Sequence, residues 1–469
     1  MVNAKIIAAL TLSFAFFVGC NKKDEPKKME TLSEQTAGLY SYNGSEYEVS
    51  FTAVAKTKSF TLDEVATETY YKDEMLRIAQ MNVKYLFGPL TNRYLGGMKL
   101  NSVITMDWNQ AVQQDDQLVV PFVYKGTWIL SETSLNKKSY AQLPLPFDSQ
   151  SLITPNWLEC TDSDPEHQTE SFFWYFWDPK RSGCDHQLNV DYQMIQINLG
   201  KQTVNQTETY PEYQNMINSN GVTNNLQATF AFGYVEDVEN ANPDNDSDSG
   251  MYEYRKFTKF MDKEAKALKL TKTAILQKEY LNPASPDSLI GYRYTGSKNG
   301  VKVDIKVVAS AGIDQMELFA KSYAHDHDAF FGWFGHSRVG SGFDAQNFSY
   351  IVHNNPDFYS LTTNYQLVYW AGCNSYSYYT LPFFKQKSEL NKAMDPNGTK
   401  SLDLINNVLP SLFSFNANNA MIAYNALINW DKPTSYQKIV SQLEQNAQKS
   451  GTTVIVNVLG DEDNTFVKP

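Results

Sequence analysis

Two short apolar segments, each ending in a residue capable of chemistry, decide how this chain folds. Residues Ala329–Ser337 read AFFGWFGHS, and residues Tyr365–Ser375 read YQLVYWAGCNS. Short runs rich in aromatic and branched residues, bounded by glycine and polar residues, are typical of buried β-strands. Continuous rather than alternating hydrophobicity indicates strands that are covered on both faces, as in a parallel sheet.

The polar residues that follow these two runs are predicted to lie together. If the runs form neighbouring parallel strands, His336 and Cys373 come to the same edge of the sheet, where open α/β folds place their sites. Alternating strand and helix patterns over residues 225–469 predict an α/β domain with a mostly parallel sheet flanked by helices. In this domain we expect helices at Leu402–Leu412 and Tyr436–Ala447 and strands at Ala420–Ile428 and Thr453–Leu459.

A strand that ends in His, followed by one that ends in Ala-Gly-Cys, resembles the caspase, gingipain and legumain superfamily of cysteine peptidases. The resemblance implies that Cys373 is the nucleophile, that His336 is the general base, and that a peptide or protein is the substrate. It also implies an oxyanion hole formed by the backbone N–H groups of Ser337 and Cys373. The superfamily usually has Gly after the His, where this chain has Ser337. That departure keeps a second interpretation open, in which the domain binds ligands without catalysis.

The N-terminus has the pattern of an export signal. Lys5 precedes a short apolar run, Ile6–Val18, which is too short to span a bilayer and has the length of a signal-peptide core. The run ends in Phe-Val-Gly-Cys at Cys20, which resembles the bacterial lipobox. The resemblance implies a signal peptide at 1–19, acylation of Cys20 and a polar tether over 20–30. Asn21 is not the Asp that retains enteric lipoproteins at the inner membrane, which favours a cell-envelope protein anchored by lipid to the outer membrane.

The four cysteines divide in a way that agrees with export. Cys20 is assigned to the lipid, and Cys160 and Cys184 are predicted to form a disulfide in an oxidising compartment. Cys373 is then left without a partner, which invites a catalytic explanation, although a buried inert thiol is the alternative. Cys160, His167, Cys184 and His186 match no compact zinc motif, so we favour the disulfide over a metal.

Residues 31–224 are predicted to form a β-rich α+β domain. A hairpin around Asn43-Gly44, a helix at Tyr70–Phe87 and strands at Leu118–Leu130 and Gln193–Leu199 follow from local patterns. The Lys125-Gly126 pair is expected to interrupt the first of these strands, and Leu143–Pro146 is expected to be a rigid loop. This domain carries no recognisable catalytic motif.

Two acidic or histidine-rich segments are weaker candidates for metal binding. Asp244, Asp246 and Asp248 alternate as calcium ligands do, but the glycine and the twelfth position do not fit an EF-hand. His325-Asp326-His327-Asp328 partly resembles a metallo-β-lactamase motif but lacks its last His. We therefore predict no cofactor and leave calcium open at the first segment. A net charge of −12 argues against non-specific nucleic-acid binding.

Overall fold

In a computed structural model, the chain forms a mixed α/β structure with two sheets. The structure describes residues 40–99, 102–161, 170, 173–203, 208–218, 221–235, 242–244, 247–281, 287–310, 315–337 and 345–466. The predicted signal peptide, the lipidation site Cys20 and the tether therefore lie outside the described residues, and so does His167. All of the described residues fall within one compact unit, Thr36–Pro469.

The first sheet is antiparallel and has seven strands, with β5, β1, β7 and β6 adjacent in that order and β2, β3 and β4 pairing with β5. Its strands are β1 Ser45–Thr57, β2 Gly97–Met98, β3 Val103–Met106, β4 Val112–Gln114, β5 Gln117–Leu130, β6 Tyr140–Pro146 and β7 Tyr192–Thr203. The helices of this half are α1 Leu62–Thr67, α2 Thr69–Lys84, α3 Phe87–Tyr94, α4 Glu132–Leu135, α5 Phe173–Phe176 and α6 Tyr213–Met216.

Three local predictions for this half are wrong. No hairpin forms at Asn43-Gly44, because the described residues 40–44 are not a strand and β1, which begins at Ser45, pairs with β5 and β7. Strand β5 continues through Lys125-Gly126, where Gly126 pairs with Val49 of β1. The segment Leu143–Pro146 belongs to strand β6, not to a loop. β6 lies at the edge of its sheet, where proline is tolerated because one side of the strand makes no ladder hydrogen bonds. The predicted helix near Tyr70–Phe87 is present as α2.

The second sheet has eight strands in the order β15-β14-β13-β12-β8-β11-β10-β9. Its strands are β8 Asn225–Phe232, β9 Thr271–Leu276, β10 Leu289–Lys298, β11 Val301–Ala309, β12 Phe330–Phe334, β13 Gln366–Trp370, β14 Leu402–Asn407 and β15 Val456–Leu459. The five strands from β14 to β11 are parallel to their neighbours, while β15, β10 and β9 pair antiparallel. The sheet is therefore mixed, with antiparallel strands at both edges.

Helices cover both faces of this sheet, which explains the continuous apolar runs of its central strands. They are α7 Ser249–Leu268, α8 Gln277–Tyr280, α9 Gln315–Ala320, α10 Ala345–Asn354, α11 Ser375–Leu390, α12 Asn416–Ile428 and α13 Tyr436–Lys449, and a π-helical turn spans Lys321–His325. Alternate residues of β12 enter the two cores: Phe330 and Phe334 pack with α7 and α12, whereas Phe331 and Trp333 pack with α9 and α11. Every residue of β12 and β13 is buried.

Two elements of this half were predicted with the wrong type. Leu402–Asn407 is strand β14 rather than a helix, and Asn416–Ile428 is helix α12 rather than a strand. In β14 the polar residues are themselves buried, because the Tyr365 and Tyr436 hydroxyls and the Asn464 amide donate to the Asp403 carboxylate. A buried strand with polar residues does not alternate between apolar and polar, so its period resembles that of a helix.

Lys387 of α11 gives this half a measurable pH dependence. Its ammonium is buried and donates to the Thr362 and Asn364 carbonyls and to Gln366 Oε1, at 2.8, 3.0 and 2.8 Å. Burial lowers the pKa of Lys387 to about 7. Between that value and the ordinary lysine pKa of about 10.4, the unfolded state binds more protons than the folded state.

We therefore expect the contribution of Lys387 to the free energy of unfolding to grow as pH rises from about 7 towards 10.4, with a slope of at most about 1.4 kcal/mol per pH unit. Urea unfolding of the wild type and of Lys387→Met at pH 7, 8 and 9 measures it. The free energy of unfolding of the wild type should increase relative to that of Lys387→Met as the pH rises. A difference that is constant with pH would contradict the assignment.

Candidate active site

The carboxyl ends of β12 and β13 meet at one edge of the second sheet. The two strands are parallel neighbours with Trp333 opposite Trp370, and Ala371 N–H donates to the Trp333 carbonyl at 2.9 Å. His336 stands two residues after the end of β12, and Cys373 stands three residues after the end of β13. The two sequence-predicted residues therefore lie just beyond the carboxyl ends of neighbouring strands. The predicted adjacency of these strands is confirmed.

A backbone carbonyl fixes the orientation of the His336 ring. His336 Nε2 lies 3.0 Å from the carbonyl oxygen of Val235, which follows the central strand β8. Because a carbonyl can only accept, Nε2 carries the hydrogen and Nδ1 keeps a free lone pair. Among the described residues nothing hydrogen-bonds to Nδ1. The ring also packs edge-on against Phe413, with centroids 4.9 Å apart. His336 is therefore held in the tautomer whose Nδ1 can act as a base.

The thiol of Cys373 is free and half-buried. Its sulfur accepts a hydrogen bond from Ser411 N–H at 3.3 Å. Burial raises the pKa of the Cys373 thiol above its ordinary value. The group is accordingly a protonated thiol at neutral pH, and a base must remove its proton before it can attack a carbonyl.

His336 and Cys373 share no hydrogen bond among the described residues, but both lie against the same loop. Ser411 contacts the sulfur, and Phe413, two residues later, contacts the imidazole. Catalytic pairs are often separated in ligand-free structures and draw together when substrate binds. The thiol and the imidazole thus lie against the same loop at one edge of the sheet, and they do not form a thiolate–imidazolium pair in this structure.

The two N–H groups predicted for the oxyanion hole belong to Ser337 and Cys373. Neither the Ser337 N–H nor the Cys373 N–H donates to another residue in the part of the chain that the structure describes. Gly372 lies close to Ser337. A Cβ atom at Gly372 would stand 3.3 Å from Ser337 N and would crowd the Ser337 hydroxyl. Ser337 is 1 % exposed, and its hydroxyl has no partner among the described residues. The Ser337 and Cys373 N–H groups are therefore not used by other described residues.

The N-terminal half reaches this edge through α5. The Tyr175 hydroxyl donates to Asn374 Oδ1, next to the candidate nucleophile, and the Tyr175 ring stacks on Phe87 with centroids 5.9 Å apart. Burial, and then the nearby Cys373, raise the pKa of Tyr175 well above its ordinary value, so the hydroxyl stays a donor. Asn374 also donates to the Val408 carbonyl at 2.8 Å, which holds the start of α11 in place.

Sequence patterns did not indicate three of these contacts. Val235 and Ser411 act through backbone atoms, which any residue could provide, and Tyr175 lies far from Asn374 along the chain. The acidic segment after β8 contains one residue that a sequence pattern could have linked to this site. Asp248 accepts from the Val235 N–H at 2.9 Å and from the Met251 N–H at 3.0 Å. Asp248 thereby caps α7 and fixes the residue whose carbonyl orients His336.

The disulfide prediction is confirmed. Cys160 and Cys184 are bonded, with their Cα atoms 4.6 Å apart. His186 lies beside them, donates through Nε2 to the Leu152 carbonyl at 3.0 Å, and accepts from Trp177 Nε1 at 3.1 Å. The three residues form a cluster with metal-like spacing. Its sulfur atoms are joined to each other, however, and so provide no thiolate ligands.

The acidic segment is not supported as a calcium site. Both oxygens of Asp248 accept backbone hydrogen bonds, and the Asp244 carboxylate accepts from the Tyr292 hydroxyl at 2.6 Å. Asp246 lies outside the described residues. These two carboxylates are thus engaged in capping and packing.

The histidine-rich segment is an ion-pair network rather than a metal motif. Lys306 binds Asp326 at 2.6 Å and Asp328 at 2.9 Å, and Lys321 binds Asp326 at 2.7 Å and His325 Nδ1 at 2.6 Å. The carboxylates that would bind a metal are therefore neutralised by two lysine ammonium groups.

Comparison with known proteins does not assign this chain to a class. No family model, no curated protein and no solved structure matches the chain. Within the described ranges, none of the helices has both the length and the apolar character needed to cross a membrane.

Proposed function

We propose that this chain is a cysteine peptidase similar to the caspase and gingipain superfamily, with Cys373 as nucleophile and His336 as general base. The observation that carries the proposal is the hydrogen bond from His336 Nε2 to the Val235 carbonyl, which leaves Nδ1 as a base at the strand end next to Cys373. We further propose that acylation of Cys20 anchors the protein in the bacterial cell envelope, which rests on the N-terminal sequence pattern alone.

The proposed reaction proceeds through a thioester. The Cys373 proton moves to His336 Nδ1 while the sulfur attacks the scissile carbonyl carbon and forms a C–S bond. The carbonyl oxygen becomes an oxyanion that the N–H groups of Ser337 and Cys373 bind. Collapse breaks the C–N bond, and His336 gives its proton to the leaving amine. His336 then removes a proton from water, which attacks the thioester, releases the carboxylic acid and restores the thiol.

A non-catalytic binding protein with the same fold is the second candidate, and two observations favour it. Burial raises the pKa of Cys373, and the thiol and the imidazole share no hydrogen bond among the described residues. In that case the edge of the sheet would bind a peptide without cleaving it. A protein that binds peptides at this edge with no turnover, in both the wild type and Cys373→Ala, would establish this second function.

The oxyanion hole gives the proposal a specific test. Ser337→Pro removes the backbone N–H and should lower kcat on the order of 10²–10³-fold, the usual effect of losing one such donor. Ser337→Gly keeps the N–H and should retain activity, because it removes only a side chain whose hydroxyl has no partner among the described residues. Hydrolysis of a mixed peptide library by residues 21–469 measures both variants.

Circular dichroism and unfolding of the two Ser337 variants provide the control for folding. If Ser337→Pro folds and hydrolyses the library as fast as Ser337→Gly, the Ser337 N–H does not bind the oxyanion. Absence of hydrolysis by the wild type under all conditions would refute the peptidase proposal and leave the binding function.

A further inference from the structure

A basic groove lies between helices α7 and α12, on the sheet face opposite α9 and α11. Its cavity of about 620 Å³ is lined by Arg255, Lys256, Lys259 and Lys263, with Tyr252, Phe260 and Met421 as its less polar wall. Arg255, Lys259 and Lys263 recur at four-residue spacing along one side of α7, and Lys256 lies next to Arg255. Tyr252, at one end of the row, is 60 % exposed.

The charge of this groove is local and only partly balanced. No carboxylate is found among the described residues that line the cavity. Lys256 approaches Glu253 at 3.6 Å, and Arg255 donates to the neutral Pro243 carbonyl at 2.9 Å. Lys259 and Lys263 are exposed and form no ion pair with any described residue. The whole chain carries a net charge of −12, so four cations on one groove form a local positive region that attracts anions.

The groove begins beside the candidate active site. Asp248, which caps α7, accepts from the N–H of Val235, the residue whose carbonyl orients His336. Tyr252 follows one helical turn later. The first turn of α12 is joined to α7 as well, because Ala417 N–H donates to Glu253 Oε2 at 2.9 Å, and Phe413 just before it contacts the His336 ring. Both walls of the groove therefore start at the catalytic edge and lead away from it.

We propose that this groove binds an acidic segment of the peptide or protein substrate, outside the bond that is cleaved. This proposal rests on the proposed peptidase function and deepens it by naming the substrate class. The row from Tyr252 to Lys263 is about 17 Å long at 1.5 Å per residue, which matches about five extended residues. A concave groove with tyrosine and phenylalanine in its wall fits a linear chain of carboxylates and apolar side chains better than it fits a flat lipid surface.

The binding test separates this inference from catalysis by using Cys373→Ala protein, residues 21–469. A fluorescein-labelled peptide with five consecutive glutamates should bind in fluorescence anisotropy, and its affinity should fall as salt rises. Lys259→Glu/Lys263→Glu should weaken that binding roughly 10-fold or more, since two attractions become repulsions. Lys438→Glu/Lys449→Glu changes two exposed lysines on α13 by the same charge and should leave the affinity unchanged.

Two further arms decide the outcome. In the active protein, Lys259→Glu/Lys263→Glu should lower kcat/KM for peptides that carry a glutamate tail and leave kcat/KM for untailed peptides unchanged. Equal binding by the two double variants, or binding to vesicles containing 30 % phosphatidylglycerol with none to the glutamate peptide, would overturn the proposal. Peptide binding by the groove in a protein that hydrolyses nothing would uphold the anion-binding site while refuting the peptidase function.

Discussion

Replacing Cys373 by alanine should abolish peptide hydrolysis, with a loss in kcat on the order of 10⁶-fold, because no other group at this edge can form the thioester. His336→Ala should cause a comparable loss, since the buried thiol has a raised pKa and depends on the imidazole to remove its proton. The double variant should be no worse than either single one, as residues that act as a unit are not additive. Steady-state kinetics on the best substrate from a mixed peptide library measure all three.

The matched control for this result is Ser411→Ala. Ser411 contacts the sulfur through its backbone N–H, which alanine retains, so activity should stay within a few-fold of the wild type. Unfolding curves of all variants should overlay, because a small half-buried thiol contributes little packing. Hydrolysis that persists in Cys373→Ala would contradict the assignment of the nucleophile, whatever the effect at His336.

The largest loss of stability should follow from Lys306→Met. Lys306 is 4 % exposed and stands between Asp326 and Asp328 at 2.6 and 2.9 Å. Burial by itself lowers the pKa of Lys306, but the two carboxylates raise it above the ordinary value, so the ammonium stays charged. Removing it leaves the buried Asp328 carboxylate without its cation, while Asp326 keeps Lys321, and this should cost about 3–5 kcal/mol in the free energy of unfolding.

Lys302→Met is the control, because Lys302 lies exposed on the same strand β11 and the change should stay within about 0.5 kcal/mol. Adding Asp328→Asn to Lys306→Met should recover part of the loss by removing one unpaired charge. Urea unfolding followed by circular dichroism compares the four proteins. Equal stability of Lys306→Met and Lys302→Met would show that the buried ion pairs contribute nothing.

The elements that carry the candidate site were predictable because their sequences allow little else. Strands β12 and β13 are continuous aromatic and branched runs, and every residue in them is buried. The parallel pairing of the two strands follows from that pattern, and it brings His336 and Cys373 to one edge. The disulfide was predictable for another reason, since the predicted export and acylation of Cys20 leave three cysteines, of which Cys160 and Cys184 are only 24 residues apart.

The predictions for β14 and α12 were wrong because these elements depend on contacts between distant parts of the chain. Strand β14 contains the buried Asp403, whose hydroxyl and amide donors come from Tyr365, Tyr436 and Asn464. Nothing local in Leu402–Asn407 signals that these partners exist, so its spacing imitates a helix. Helix α12 is an alanine-rich apolar segment, and short apolar runs do not distinguish a buried helix from a strand by period alone.

At the candidate site, the contact of the Val235 carbonyl with His336 could not be predicted from the sequence either. Its role as acceptor for His336 Nε2 comes from the position of β8 beside β12, not from the valine side chain. Backbone groups carry no sequence signature, and for that reason the orienting partner of His336 and the Ser411 N–H at the sulfur could be found only in the folded chain.

The central claim, that Cys373 is a nucleophile activated by His336, is tested most directly by covalent capture with substrate-like electrophiles. Residues 21–469 would be treated with a mixed library of peptidyl acyloxymethyl ketones, and the adduct would be located by peptide mass spectrometry. We expect a single thioether on Cys373 in the wild type and none in His336→Ala, while iodoacetamide at high pH still labels Cys373 in both proteins. Labelling of Cys373 by iodoacetamide alone, with no ketone adduct in the wild type, would contradict the claim.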